Sequence, residues 1–178
     1  MHRPKKSFLL FSAVILLAAL YFAGSTLGTP PAGFSGTTIA KGRLAEMDVF
    51  NQLTHPPDAQ TPGNNGNVWL SLQKTKGLSD LYVQNNVWQP GGTTGWHSHS
   101  GHSLIVVTSG AITNYEGDDP SCTPHMYTAG MAFVDSGGDH VHNIRNEGAG
   151  VATSIAVQLI PADTQRRIDA SSPGNCPF

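Results

Sequence analysis

From Val68 onward the chain reads as a succession of short apolar runs, each broken by Gly, Pro, Asn or Asp. "NVWLSL" alternates, with Val68, Leu70 and Leu72 on one face, and "LYVQNNVW", "SLIVV", "AITNY", "MAFV" and "VATSIAVQLI" follow at strand length. The last is the clearest. Successive side chains of a strand point to opposite faces, so Val151, Thr153, Ile155, Val157 and Leu159 line one side. Nothing between Val68 and Ile160 sustains a 3.6-residue period bounded by caps, so helix is expected only in short pieces, around "AEMDVFNQL" and "ADTQRRID". Many short strands with regular turn signals predict an all-β sandwich or small barrel.

Composition agrees. A chain of 178 residues is long enough for one domain with a real core. Charged residues make up only 12%, while Gly (20) and Pro (12) are plentiful, as strands joined by turns require. The formal net charge of −2 comes without a clustered run of Lys and Arg, which excludes a nucleic-acid footprint.

The N-terminus changes the setting. Arg3, Lys5 and Lys6 precede the uncharged run "SFLLFSAVILLAALYFAG", the layout of an export segment. Its length fits either of two fates. The small residues of "AGSTLG" offer cleavage sites for a signal peptide, and an uncleaved run would be a single anchor with the globular part outside. Either way an extracytoplasmic location is expected, with membrane contact only through this segment. The expected organisation is signal or anchor over 1–28, linker over 29–36, barrel over 37–160 and tail over 161–178. Outside the cytoplasm an even pair of cysteines tends to bridge, so Cys122 and Cys176 are expected to tie the tail to the loop "DDPSCTPH". Two unpaired thiols are the alternative.

The candidate chemistry lies in the histidines. His97, His99, His102, His125, His140 and His142 fall within one short window, and the first and last two repeat a two-residue spacing. In strands that spacing puts both rings of a pair on one face, where they can meet one ion, and imidazole is the commonest transition-metal ligand.

These residues resemble the cupin family. Its first motif, G-x5-H-x-H-x3/4-E-x6-G, is matched in every spacing by Gly91, His97, His99, Ser103 and Gly110, with Ser103 in place of the glutamate. Its second, G-x5-P-x-G-x2-H-x3-N, is met more loosely by Gly130, Ser136 at the proline, Gly138, His142 and Asn146, with one extra residue before His142. The resemblance implies a single jelly-roll barrel and a divalent transition metal (Fe, Mn, Zn, Ni or Cu) held by His97, His99 and His142. Without the glutamate, three neutral imidazoles leave the ion its full charge, which favours an anionic ligand in an open position. Ser103 is placed to hold a water by its hydroxyl. His102 stands as an extra ligand or a pocket-lining residue, and His140 as a competing ligand or a partner that orients one. Asp135 and Asp139 flank the second motif as acid, base or simple turn residues. Trp96 either walls the cavity or packs in the core, and His125 is a surface residue.

No catalytic residue is identified by these patterns, and three functions remain open. They are a metal-dependent oxidoreductase of oxygenase type acting on a small organic anion, a non-catalytic extracytoplasmic module binding a small molecule or metal, and a metal-free structural barrel. The expected partner is a small, anionic molecule; such a barrel also permits a homodimer.

Overall fold

The computed structural model describes residues 28–54 and 68–178. The stretch read as signal or anchor, 1–28, lies outside the described residues through residue 27. Among them the chain forms strands and no helix: β1 (Ala32–Leu44), β2 (Asp48–Thr54), β3 (Val68–Lys74), β4 (Ser79–Thr93), β5 (His97–His99), β6 (Ser103–Ser109), β7 (Ala111–Glu116), β8 (His125–Thr128), β9 (Ala132–Asp135), β10 (Gly138–Arg145), β11 (Ala152–Pro161) and β12 (Ile168–Asp169). Their antiparallel pairings build two layers, β1-β4-β11-β6-β9 and β12-β5-β10-β7-β8. A bridge between Thr93 of β4 and Arg145 of β10 joins them into a nearly closed barrel. The all-β barrel expectation is met.

The barrel interior is divided along its axis. Trp88, Val107, Ile112, Ile144 and Ala152, drawn from both layers, form an apolar cluster. Two-residue steps along the same strands keep side chains on the inner face but turn polar. Trp88 gives way to Asn86 and Gln84 on β4, Val107 through Ile105 to Ser103 on β6, Ile144 to His142 on β10, and Ala152 through Ser154 to Gln158 on β11. The apolar half supplies the burial that holds the layers together, and the polar half is where the site lies. Strand β11 shows the consequence. Its β-branched set Thr153, Ile155 and Val157 is only half-buried, while Ala152, Ser154, Ala156 and Gln158 are buried, because the inner face must pack against Trp88 at one end and polar groups at the other.

Three expectations are corrected. β1 starts at Ala32, within the stretch read as linker, because Phe34 packs against Trp88 with ring centroids 4.9 Å apart and gives that stretch a core contact. "AEMDVFNQL" is not helical: β2 pairs with β3 in a separate two-stranded ribbon, with Phe50 opposite Leu72, and a partner strand overrides a local helical pattern. Leu70 and Leu72 therefore sit exposed on an arm outside the barrel sheet. "ADTQRRID" is not helical either. Asp163 adopts φ 63°, outside the right-handed helical region, and the chain then runs extended, with Ile168 opposite Ser98 and Asp169 opposite His97.

The segment after β11 is tied down at several points. Asp80, buried at the start of β4, accepts from Arg43 Nε at 2.8 Å and Nη2 at 3.1 Å, lies 3.2 Å from Lys41 Nζ and accepts from Asp163 N at 3.3 Å. It links β1, β4 and the C-terminal segment. The expected disulfide is present: Cys122, in the β7–β8 loop, is bonded to Cys176 across 54 residues of sequence. Cys176 packs in a second buried cluster with Trp96 and Tyr115.

Candidate metal centre

β5 and β10 lie side by side, with His142 opposite His97 and Gly138 opposite His99. Three residues of β5 thus face five of β10, an irregularity that decides which histidines converge. The His97–His99 spacing keeps both rings on one face, and with His142 they form a cluster whose ligating atoms lie within 4.8 Å of one another. His97 and His142 are buried, and the side chain of His99 is 15% exposed. The extra residues in β10 send His140 elsewhere. Its Nε2 lies 2.5 Å from Glu116 Oε2, in a surface groove shared with Asp118 and Asp139.

The hydrogen-bond partners fix the tautomers. His97 Nδ1 faces the Gly95 carbonyl at 2.9 Å and His99 Nδ1 faces the Arg166 carbonyl at 2.6 Å. A carbonyl oxygen only accepts, so each Nδ1 carries a proton. His142 Nδ1 lies 3.4 Å from the carboxylate of Asp135 and is likewise the donor. All three Nε2 atoms are then bare lone pairs, and those of His97 and His142 face each other at 3.2 Å. Two facing lone pairs repel, and a cation between them removes the repulsion. The donor set therefore fits a transition metal, with neutral imidazoles whose rear nitrogens are engaged as metal-bound histidines require.

Electrostatics favours the same state. Burial, then the neighbouring His142 and His99 and the charge of Arg167, push His97 down to about 2. Burial is also the main cause that lowers His99. For Asp135, burial opposes ionisation, but contact with His142, the field of His99 and the Gly137 N–H outweigh it and hold the carboxyl well below its usual range. The histidine shifts predict a pH dependence for the metal-free protein. The unfolded chain takes up a proton on His97 near pH 6.5 whereas the folded state resists it to about 2. Stability is then fully present above pH 6.5 and falls as pH drops below it. By linkage His97 alone costs about 2 kcal/mol at pH 5. Urea unfolding of chelator-treated protein at pH 7.5 and pH 5 measures this, and equal stabilities would contradict it.

The rest of the cavity is small, with polar groups around the histidines and apolar walls beyond them. It measures about 70 Å³ and is lined, around the histidines, by Gln84, Asn86, Ser103, Gln158, Arg166 and Arg167, with Trp88, Ile105 and Ile144 toward the apolar half. Trp88 Nε1 and Asn86 Oδ1 are buried without a partner among the described residues. Arg166 is spent on structure: it donates to Gln158, Thr38 and Gln84 and stacks on Tyr82. Arg167 donates to the Thr94 carbonyl and to Asp169 from Nη2 and Nε, leaving Nη1 for other use.

Ser103 is buried in this cavity, but its hydroxyl donates to Asp135 Oδ2 at 3.2 Å and accepts from Gln158 Nε2 at 3.3 Å. His102, one residue earlier, points the other way. It lines a groove of about 380 Å³ with Leu72, Leu78 and Leu159, apart from the histidine cluster. Trp96 packs in the core with Tyr115 rather than lining the cavity, and His125 is exposed. The sequence patterns had not singled out Asn86, Gln158 or Arg167. The first two carried a faint signal, as polar residues in step with the inward positions of β4 and β11; Arg167 carried none.

The barrel and its three histidines coincide with a known pattern: residues 87–157 match the family model of the cupin domain. Residues 87–157 form a cupin domain. No curated protein matches the chain. Among solved structures this chain is similar to Peruvianin-I, a cysteine peptidase from Thevetia peruviana latex, at 27% identity over 44% of this chain and 49% of that one, with a TM-score of 0.38. It is similar to an oxalate oxidase at 19% identity over 46% of each chain, TM-score 0.39. It is also similar to a predicted oxalate decarboxylase from Thermotoga maritima at 20% identity over 48% of this chain and 83% of that one, TM-score 0.38. The chain spans less than half the length of the first two.

Proposed function

We propose that this cupin is an exported, metal-dependent oxidoreductase of oxygenase type that acts on a small organic anion. The observation that carries the reading is the convergence of three bare imidazole nitrogens in a buried cavity of about 70 Å³. His97, His99 and His142 would hold the ion. A redox-active divalent metal there supplies Lewis acidity and one-electron chemistry with dioxygen. The chain's own residues do the rest. The apolar half of the barrel, walled by Trp88, Ile105 and Ile144, keeps bulk water from one side. Arg167 offers Nη1, Trp88 its unpartnered N–H, and Asn86 its unpartnered carbonyl, a set that suits a ligand carrying both an anionic oxygen and a hydroxyl. The volume admits only a few heavy atoms beside the histidines, well below the usual size of a drug-like pocket. Export is supported by the basic-then-apolar N-terminus and by the Cys122–Cys176 bond, which persists in oxidising compartments.

Oxygen consumption tests the reading. Protein loaded in turn with Fe(II), Mn(II), Zn(II) and Cu(II) is offered a panel of small hydroxy acids, thiols and phenolics. Uptake is expected with a redox-active metal and a small hydroxy acid, and is expected to vanish in His142→Ala. Tight ligand binding without turnover under every metal would decide for a binding module instead.

A further inference from the structure

The glutamate expected on β6 is replaced by Ser103, yet the site is not without a carboxylate. In the β6–β9 ladder Ser103 stands directly opposite Asp135. A side chain from β9 therefore arrives level with the one missing from β6. Asp135 is buried, its side chain 1% exposed. Its Oδ1 lies 3.4 Å from His142 Nδ1 and accepts from Gly137 N at 3.0 Å; its Oδ2 lies 3.4 Å from His99 Nε2 and accepts from Ser103 Oγ at 3.2 Å. No Lys or Arg of the described residues pairs with it.

We propose that Asp135 is the carboxylate of this metal centre, delivered from β9 instead of β6, orienting His142 and supplying the negative charge that Ser103 cannot. The inference rests on reading His97, His99 and His142 as metal ligands. Two observations drive it. A buried carboxylate with no cationic side chain is costly unless a positive charge lies close by, and an ion held by the histidines is that charge. Further, His99 Nδ1 donates to the Arg166 carbonyl, so His99 turns a lone pair on Nε2 toward Asp135 Oδ2. Two electron-rich atoms in contact call for a cation between or beside them. On the other side, Asp135 accepts from His142 Nδ1, which directs His142 Nε2 at His97. A second carboxylate at position 103 would meet Asp135 across the ladder, and like charges so close do not both ionise. The serine is thus the counterpart of the aspartate.

The backbone holds Asp135 to this position. Gly137 adopts φ +67°, and a Cβ there would stand 2.2 Å from the Gly101 carbonyl, so the turn after Asp135 is pressed against the turn that links β5 to β6. Asp135 acts through His142 and through its charge, which makes it a positioning residue.

The test uses Co(II) as the probe, with the full chain, Asp135→Asn, and the double variant Ser103→Glu/Asp135→Ser that moves the carboxylate back to β6. Asp135→Asn is expected to bind Co(II) about 10–100-fold more weakly, the usual loss for an orienting partner, with a shifted visible spectrum. Its metal-free form is expected to remain folded, because the asparagine side chain keeps Gly137 N and Ser103 Oγ as hydrogen-bond partners. The double variant is expected to recover most of the affinity. Unchanged affinity and spectrum in Asp135→Asn would overturn the proposal. So would a metal-free Asp135→Asn protein that no longer folds, or a double variant as weak as the single one. If the unaltered chain itself binds no Co(II), the reading of the histidines as ligands falls first.

Discussion

Replacing His97, His99 or His142 with Ala, one at a time, is expected to reduce metal affinity by more than the roughly 10–100-fold that loss of an outer partner costs, while leaving the protein folded. Each ring has its Nδ1 engaged by Gly95, Arg166 or Asp135 and presents Nε2 inward. Among the described residues the ligand cluster consists of these three histidines, and the neighbouring Asp135 is engaged by Gly137 and Ser103, so no spare imidazole replaces a lost one. His140→Ala and His102→Ala serve as controls, because His140 is held by Glu116 and His102 lines a separate groove. Competition against a chelator of known affinity measures all five variants. Loss of metal in His140→Ala equal to that in His142→Ala would contradict the assignment.

Removal of the Cys122–Cys176 bond, by substituting both cysteines with Ser, is expected to cost about 4 kcal/mol, the chain-entropy value for a loop of this length. That is a large part of the roughly 5–15 kcal/mol that keeps a typical domain folded. The effect should reach the site. The tail held by Cys176 follows the segment in which β12 pairs with β5, the Arg166 carbonyl accepts from His99, and Arg167 enters the cavity. A lower urea midpoint should therefore come with weaker metal binding. A double-serine variant as stable as the unaltered protein would show that strand pairing alone secures the tail.

The parts of this structure that were legible in the sequence are those set by local rules. Apolar runs of strand length between turn residues located β4, β6, β7, β9 and β11, with alternation clearest in β11, and the His97–His99 spacing placed two rings on one face because β5 is regular there. His140 and His142 have the same spacing, but the extra residues of β10 against β5 separate them, and a bulge is a property of two strands rather than of one sequence. The same limit applies to Asp135. Its position just ahead of Ser136-Gly137-Gly138 reads locally as turn chemistry, and only the register against Ser103 brings it to the histidines. Residues 162–169 misled for a related reason: their polar, helix-like composition serves an extended segment whose arginines bond to Gln84, Gln158 and Thr94. β2 and β3 alternate as barrel strands do, yet they pair only with each other.

The most direct test of the account is the metal itself. Protein purified without chelator and exchanged with Cu(II) is analysed for metal content and by pulsed electron paramagnetic resonance for nitrogen coupling to the ion. One ion per chain is expected, with coupling from histidine imidazoles that is lost when His97, His99 and His142 are replaced together. Absence of bound metal, or the same coupling in the triple variant, would contradict it.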